Sequence, residues 1–270
     1  MAFRWAVLFA LAAGLQAQPT VSVAPVDASL AGMSLIGPSD SGYQAAVAGP
    51  VQASDMADLA AVRPYSVVLV NNSGRKVFEY VVRFDYTDPQ GRHLSMAVGS
   101  GQMPPNPQPL IAAGKQALIT IRGQYTGTGG GADSRVLKLL PNEYYRTAVN
   151  MTVSLDSVLF DDGWFAGPDR SGQFARDTAV LSAHVAFYKA VLAFQGQDPS
   201  QLTQYLASLA SVASGQADAG LNPGPYMHVL SSSAGGYQTV LARKGAAAVF
   251  SNAQINYDVV SAYQLHRQGN

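Results

Sequence analysis

Val77-Phe78-Glu79-Tyr80-Val81-Val82-Arg83-Phe84-Asp85-Tyr86-Thr87 is the stretch that decides the fold. Taken two at a time, Phe78, Tyr80, Val82, Phe84 and Tyr86 fall on one face, with Val77, Glu79, Val81, Arg83 and Asp85 on the other. Side chains alternate across a strand, so period two over this length reads as a β-strand with one strongly apolar face. A helical pitch would scatter the same aromatics around its axis.

Working outward, Tyr65 to Val70 is a run of β-formers ended by the turn signal Asn71-Asn72-Ser73-Gly74. Asp88-Pro89-Gln90-Gly91 turns the chain into a further strand, Leu94 to Val98. A Pro-rich loop, Met103 to Pro109, leads to Ala117–Gly123, and Gly127 to Gly131 reads as a hairpin tip. Arg135 to Leu140 and Thr147 to Phe160 complete the strands, the latter with Val149, Met151, Val153, Leu155 and Ser157 on one face. Short strands parted by turns, with no helices between them, predict an antiparallel immunoglobulin-like β-sandwich over residues 63–166.

Past Gly167-Pro168 the period becomes helical. Phe174, Thr178, Leu181, Val185, Tyr188 and Leu192 recur every three or four residues, with Ser171 as the expected N-cap. Asp198-Pro199 opens a second helix that Gly215 is expected to end, and one or two more are expected between Gly236 and Arg267. Residues 167–270 thus read as a small helical subdomain, and the whole as α+β. Residues 18–62, rich in Ala, Pro, Ser and Gly with Tyr43 as their one aromatic, read as an irregular lead-in unable to build a core alone.

The first 17 residues read as a bacterial-type signal peptide: Arg4, an apolar run from Ala6 to Leu15, and cleavage between Ala17 and Gln18. That run is about half of the roughly 20 residues a membrane-spanning helix needs. The sequence contains no Cys, which excludes a lipidated anchor, disulfides and zinc–thiolate or iron–sulfur sites. A periplasmic or secreted protein without a membrane anchor is expected. Lys and Arg number 17 against 17 Asp and Glu, and no basic cluster appears, which argues against nucleic acid as a partner. Charged residues make up 13% of the chain, so its surface is largely neutral and suits a protein or glycan outside the cytoplasm.

The candidate chemistry is sparse. Ser73-Gly74-Arg75-Lys76 matches a Ser-x-x-Lys pattern, but that motif needs its lysine one helical turn from the serine, and here it lies in a turn. The glycines at 127 and 129–131 lack the flanking helix and lysine of a phosphate loop. His93, His184, His228 and His266 show no metal-ligand spacing; His184 shares a helical stripe with Asp177 and Tyr188. Asp161, Asp162 and Asp169 crowd around Gly163, Trp164 and Gly167 and are the candidate ligands for a hard cation such as calcium. Their alternative use is structural: glycine turns, Trp164 and Phe165 plugging the junction, and Asp169 with Ser171 capping the helix. Trp164 with Phe165, and Tyr144-Tyr145, are the groupings that could stack on a glycan. No catalytic or cofactor-binding residue is assigned.

The run Leu159-Phe160-Asp161-Asp162-Gly163 through Gly167-Pro168-Asp169 resembles a segment of uncharacterised exported bacterial proteins. There too it follows a strand-rich domain opening with a strand like Val68-Leu69-Val70-Asn71-Asn72-Ser73. The likeness covers Tyr65 to Leu192. It implies the layout and export, and no activity. The expected function is a non-enzymatic interaction or cell-envelope module; the alternative is a hydrolase of an extracellular or envelope polymer using the carboxylates at 161, 162 and 169.

Overall fold

The computed structural model describes residues 20–101, 103–105, 108–126, 133–138, 143–218 and 224–267. The leader, its cleavage point at Ala17 and Gln18, and the tip at 127–131 lie outside these residues. Among the described residues, ten strands form two sheets: β1 (Thr20–Val23), β2 (Met33–Ile36), β3 (Ser66–Asn71), β4 (Val77–Thr87), β5 (His93–Gly101), β6 (Lys115–Thr120), β7 (Gly123–Gln124), β8 (Asn150–Phe160), β9 (Trp164–Ala166) and β10 (His266–Arg267). One sheet runs β10-β9-β8-β4-β5, with β1 beside the first half of β8; the other runs β2-β3-β6-β7. Pairing is antiparallel except for β1 with β8 and β10 with β9.

The sheets share one core. Tyr80, Val82, Phe84 and Tyr86 of β4 and Met151, Val153 and Leu155 of β8 meet Leu35, Val67, Leu69 and Ile119 from the opposite sheet. Strict alternation fails at two points where the β4–β8 register shifts, between Val77 and Glu79 and between Val81 and Val82. At the first, Val77 takes the core position expected of Phe78. At the second, Val82 opposes Leu155 while Val81 opposes Ser157, so Asp156 is the extra residue. Past this bulge the faces exchange: Ser157 leaves the core face expected for it, and Val158 and Phe160 turn in.

Residues 20–62 are more regular than the expected lead-in. They supply β1, β2 and two short helices, α1 (Tyr43–Val47) and α2 (Met56–Val62). With Tyr43 as its one aromatic and no core of its own, this segment covers the second sheet instead: Tyr43, Val47, Leu59 and Val62 pack on Val68 and Leu118. The Tyr43 and Ser66 hydroxyls are 2.5 Å apart. Both faces of β3 are therefore buried, which is why Val67-Val68-Leu69 reads as a continuous apolar run. The strand expected over Arg135–Leu140 is corrected by a short helix, α3 (Asp133–Val136), with Leu137 buried in this outer layer. Six residues of mixed character fit either state, and contact with Thr120, whose hydroxyl donates to the Val136 carbonyl at 3.0 Å, settles it.

Three helical elements follow: α4 (Gln173–Leu192), α5 (Pro199–Asp218) and α6 (Gly224–Ala262). Asp198 accepts from the Ser200 amide at 2.9 Å, capping α5 as expected. Inside α6, Gly245 has φ 78 and ψ 175. The Asn256 amide donates to the Tyr237 hydroxyl at 3.1 Å across a separation of 19 residues. A continuous helix would hold these about 28 Å apart. The chain therefore reverses at Gly245, and α6 is a hairpin with arms 224–244 and 246–262. Phe187, Tyr188 and Val191 of α4, Leu202 and Leu206 of α5, and Tyr237, Val249 and Val260 of α6 form the bundle's core. The chain then returns to the first sheet as β10, tethering the bundle at both ends. Among the described residues, no helix is long and apolar enough to cross a membrane.

Candidate functional site

The sheet and the bundle join at residues 156–177. Displaced from the ladder by the bulge, Asp156 is buried, and its carboxylate accepts from the Arg170 and Ser171 amides at 2.9 Å each. Asp169 adopts φ 56, a left-handed conformation that Asp tolerates better than most residues. One of its oxygens accepts from the Gln173 amide at 2.6 Å and the Phe174 amide at 3.3 Å. The other lies 3.6 Å from the Arg267 guanidinium. The cap of α4 is thus Asp169, and the expected capping role of Ser171 is corrected: its hydroxyl is buried without a partner. With Gly172 at φ 69 directly before Gln173, the carboxylate three residues further back reaches the first helical amides.

Asp169→Ala removes the cap and the ion pair and places Ala in a left-handed conformation. It is expected to cost about 2 kcal/mol, which lowers the melting midpoint by roughly 5 °C. Asp169→Asn keeps the acceptor and the tolerance, and should lie within about 0.5 kcal/mol of the parent. Equal midpoints for Ala and Asn in thermal unfolding would refute the cap.

The other two candidate cation ligands serve separate turns. Asp161 accepts from the Lys76 amide at 3.3 Å. Asp162 accepts from the Trp164 amide at 3.3 Å and pairs with Arg75 at 3.4 Å, whose guanidinium lies 3.6 Å from the centre of the Phe160 ring. The three aspartates do not converge on one point. Among the described residues, no three His, Asp or Glu side chains form a group able to hold a metal ion. The aromatic pairs split likewise. Phe165 is buried against Phe174 at 5.2 Å, and Trp164 is partly exposed and packs tilted against His266 at 5.2 Å. Tyr145 is buried against Tyr65 while Tyr144 faces solvent. His184 does not bond Asp177; it stacks on Tyr188 at 5.7 Å, and burial lowers its pKa.

Sequence reasoning missed the most unusual group in the junction. Glu79, on the outer face of β4, is 8% exposed, and Asp177, in the second turn of α4, is 2% exposed. The Gln173 side-chain amide bridges them, donating to Glu79 Oε1 at 2.5 Å and to Asp177 Oδ1 at 2.7 Å. The other Asp177 carboxyl oxygen is buried with no partner. Burial, reinforced by the nearby Asp177, pushes the Glu79 carboxyl up to about 8, and burial pushes Asp177 up to about 7. Two carboxyls this enclosed keep their protons to a higher pH than an ordinary carboxylate does, Glu79 longer than Asp177. Its sequence signal was faint: one acid flanked by Val77 and Val81, with Gln173 and Asp177 four residues apart. The Glu79 side chain lies over Gly101 of β5. A shallow depression of about 510 Å³ sits at the other end of this sheet, lined by Arg83, Asp85, Thr87, His93, Ser95 and Thr152 among others.

β5 is a further exposed feature. It is nine residues long, continuous in register with β4, and among the described residues pairs with no other strand. The Asp88 backbone amide donates to the Arg92 carbonyl at 3.0 Å, which makes these two a hydrogen-bonded pair at the base of the hairpin. Alternation along the antiparallel ladder then turns the N–H and C=O groups of His93, Ser95, Ala97, Gly99 and Gly101 outward. Met96, on the face towards the core, is 37% exposed at this edge. Compared with protein-family models, curated proteins and solved structures, the chain shows no match to any of them.

Proposed function

We propose that this chain is an exported, non-enzymatic protein of the periplasm or cell exterior, a module for interaction or cell-envelope structure. The observation that carries this reading is the outer edge of β5, unpaired among the described residues. Natural sheets blunt long edges with Lys, Pro or a bulge, because unpaired ladder groups recruit other strands. β5 has none of these devices; His93, at one end, is its sole titratable side chain. Among the described residues the other edges are short, four residues each in β1 and β2 and two each in β7 and β10. Within this reading the sheets are an immunoglobulin-like sandwich. The orders β2-β3-β6 and β9-β8-β4-β5 parallel the A-B-E and G-F-C-C′ orders of that fold, with β7 following β6 as the departure. The hydrolase alternative draws less support, since Asp161, Asp162 and Asp169 are each engaged by backbone amides in different turns.

The test is capture from envelope extract with the mature chain as bait, beside the Ala97→Pro variant. The Ala97 N–H points away from β4, so proline there leaves the β4–β5 ladder intact while blocking strand addition. Envelope proteins retained by the parent should fall at least tenfold with the variant, at unchanged circular dichroism. Equal capture by both refutes binding through this edge.

A further inference from the structure

We infer that the β5 edge pairs with the β5 edge of a second copy of this chain, antiparallel about a two-fold axis through Ala97; the inference rests on the interaction reading above. Strand addition asks for a partner that alternates apolar and small residues without charge. β5 has that pattern itself, with Leu94, Met96 and Val98 on the core side and Ser95, Ala97, Gly99 and Gly101 on the other. Centring the pair on Ala97 matches all nine residues, with outward-turned groups opposite outward-turned groups. Ser95 then meets Gly99 of the other copy. Met96 meets its Val98, which covers the apolar surface that Met96 exposes.

Charge permits the arrangement. The nearest charged side chain in the central row is Arg83, opposite Ala97 on β4, and Asp85 already neutralises it through contacts of 2.8 and 3.1 Å. The two Arg83 residues of a dimer would stand three strand spacings apart, about 14 Å, beyond the roughly 8 Å screening length at physiological salt. The contact is isologous and closes at two copies, so it uses up both β5 edges and leaves neither to recruit a further strand.

The absence of cysteine makes the test clean. Directly opposed residues in a hydrogen-bonded pair have Cα atoms about 5.5 Å apart, within disulfide range. Under mild oxidation Ala97→Cys is expected to give mostly covalent dimer. Ser95→Cys and Gly99→Cys should each stay largely monomeric alone and cross-link when mixed. Light scattering of the unmodified chain from 1 to 100 µM, as roughly micromolar pairing would require, should show a monomer–dimer equilibrium that Ala97→Pro abolishes. Equal cross-linking of all three variants, or a monomer throughout, overturns the inference. A monomeric parent whose envelope capture is lost with Ala97→Pro overturns the second copy as occupant and leaves the interaction reading standing. Specific cross-linking at Ala97 with capture unchanged by the proline supports the dimer and defeats the edge as the site of envelope binding.

Discussion

Gly163→Ala is expected to lower the melting midpoint by roughly 10 °C, a loss of about 3 kcal/mol or more. Gly163 sits at φ +83, and a Cβ there would stand 2.1 Å from the Gln264 carbonyl oxygen. That oxygen is backbone, so relief requires residues 264–267 to move away from β9. The movement would cost the bond from the His266 amide to the Gly163 carbonyl at 2.9 Å, the Trp164–His266 ring contact and the Arg267–Asp169 contact. Gly196 is the control: its φ is +84, but nothing lies within 4 Å of its Cβ position. Alanine there carries conformational strain alone, about 1 kcal/mol, or roughly 3 °C. Equal losses in calorimetry would mean that the Gly163–Gln264 approach does not close the molecule.

Stability is expected to fall as pH rises from about 5 to 8, by an amount on the order of 3 kcal/mol. Below the ordinary carboxylate range, Glu79 and Asp177 are protonated both folded and unfolded, and the contribution is fully present. As pH passes that range the unfolded chain ionises first. The folded chain holds its protons until about 7 at Asp177 and about 8 at Glu79, so the contribution is lost through this window. Arg176 opposes the shift at both groups, and Asp169 adds to it at Asp177. Tyr263, Asp161 and Asp162 border the same junction. Glu79→Gln keeps a neutral group bonded to Gln173 and removes the larger shift, so its melting midpoint should change less than half as much over that range. A parent midpoint that is flat or rising between pH 5 and 8 would contradict a protonated pair.

These predictions differ in how far they could be read from the chain. The glycines at 163 and 167 are visible as turn residues, but their near-contacts are not. The approach of Gly163 to Gln264 spans a hundred residues of sequence, and that of Gly167 to the Asp156 carbonyl depends on a bulge. Asp169 was legible as a cap because capping is local: the carboxylate and the amides it accepts from lie within one turn. Glu79 and Asp177 could not be paired in advance, since a strand and a helix far apart in sequence meet only through packing, and each alone looks like a surface acid.

By itself the sequence determined what depends on near neighbours. Period two in β4, the turns at Asn71–Gly74 and Asp88–Gly91, the switch to helical period after Pro168 and the cap of α5 all arise from interactions within a few residues. Tertiary structure alone decided where alternation breaks at Phe78 and Asp156, why residues 20–62 are ordered, and that α6 folds back at Gly245. It also decided that two acids share a buried amide and that β5 is left at an edge. Each of these depends on which distant surface a segment is pressed against, and burial energy follows that contact whatever the spacing along the chain.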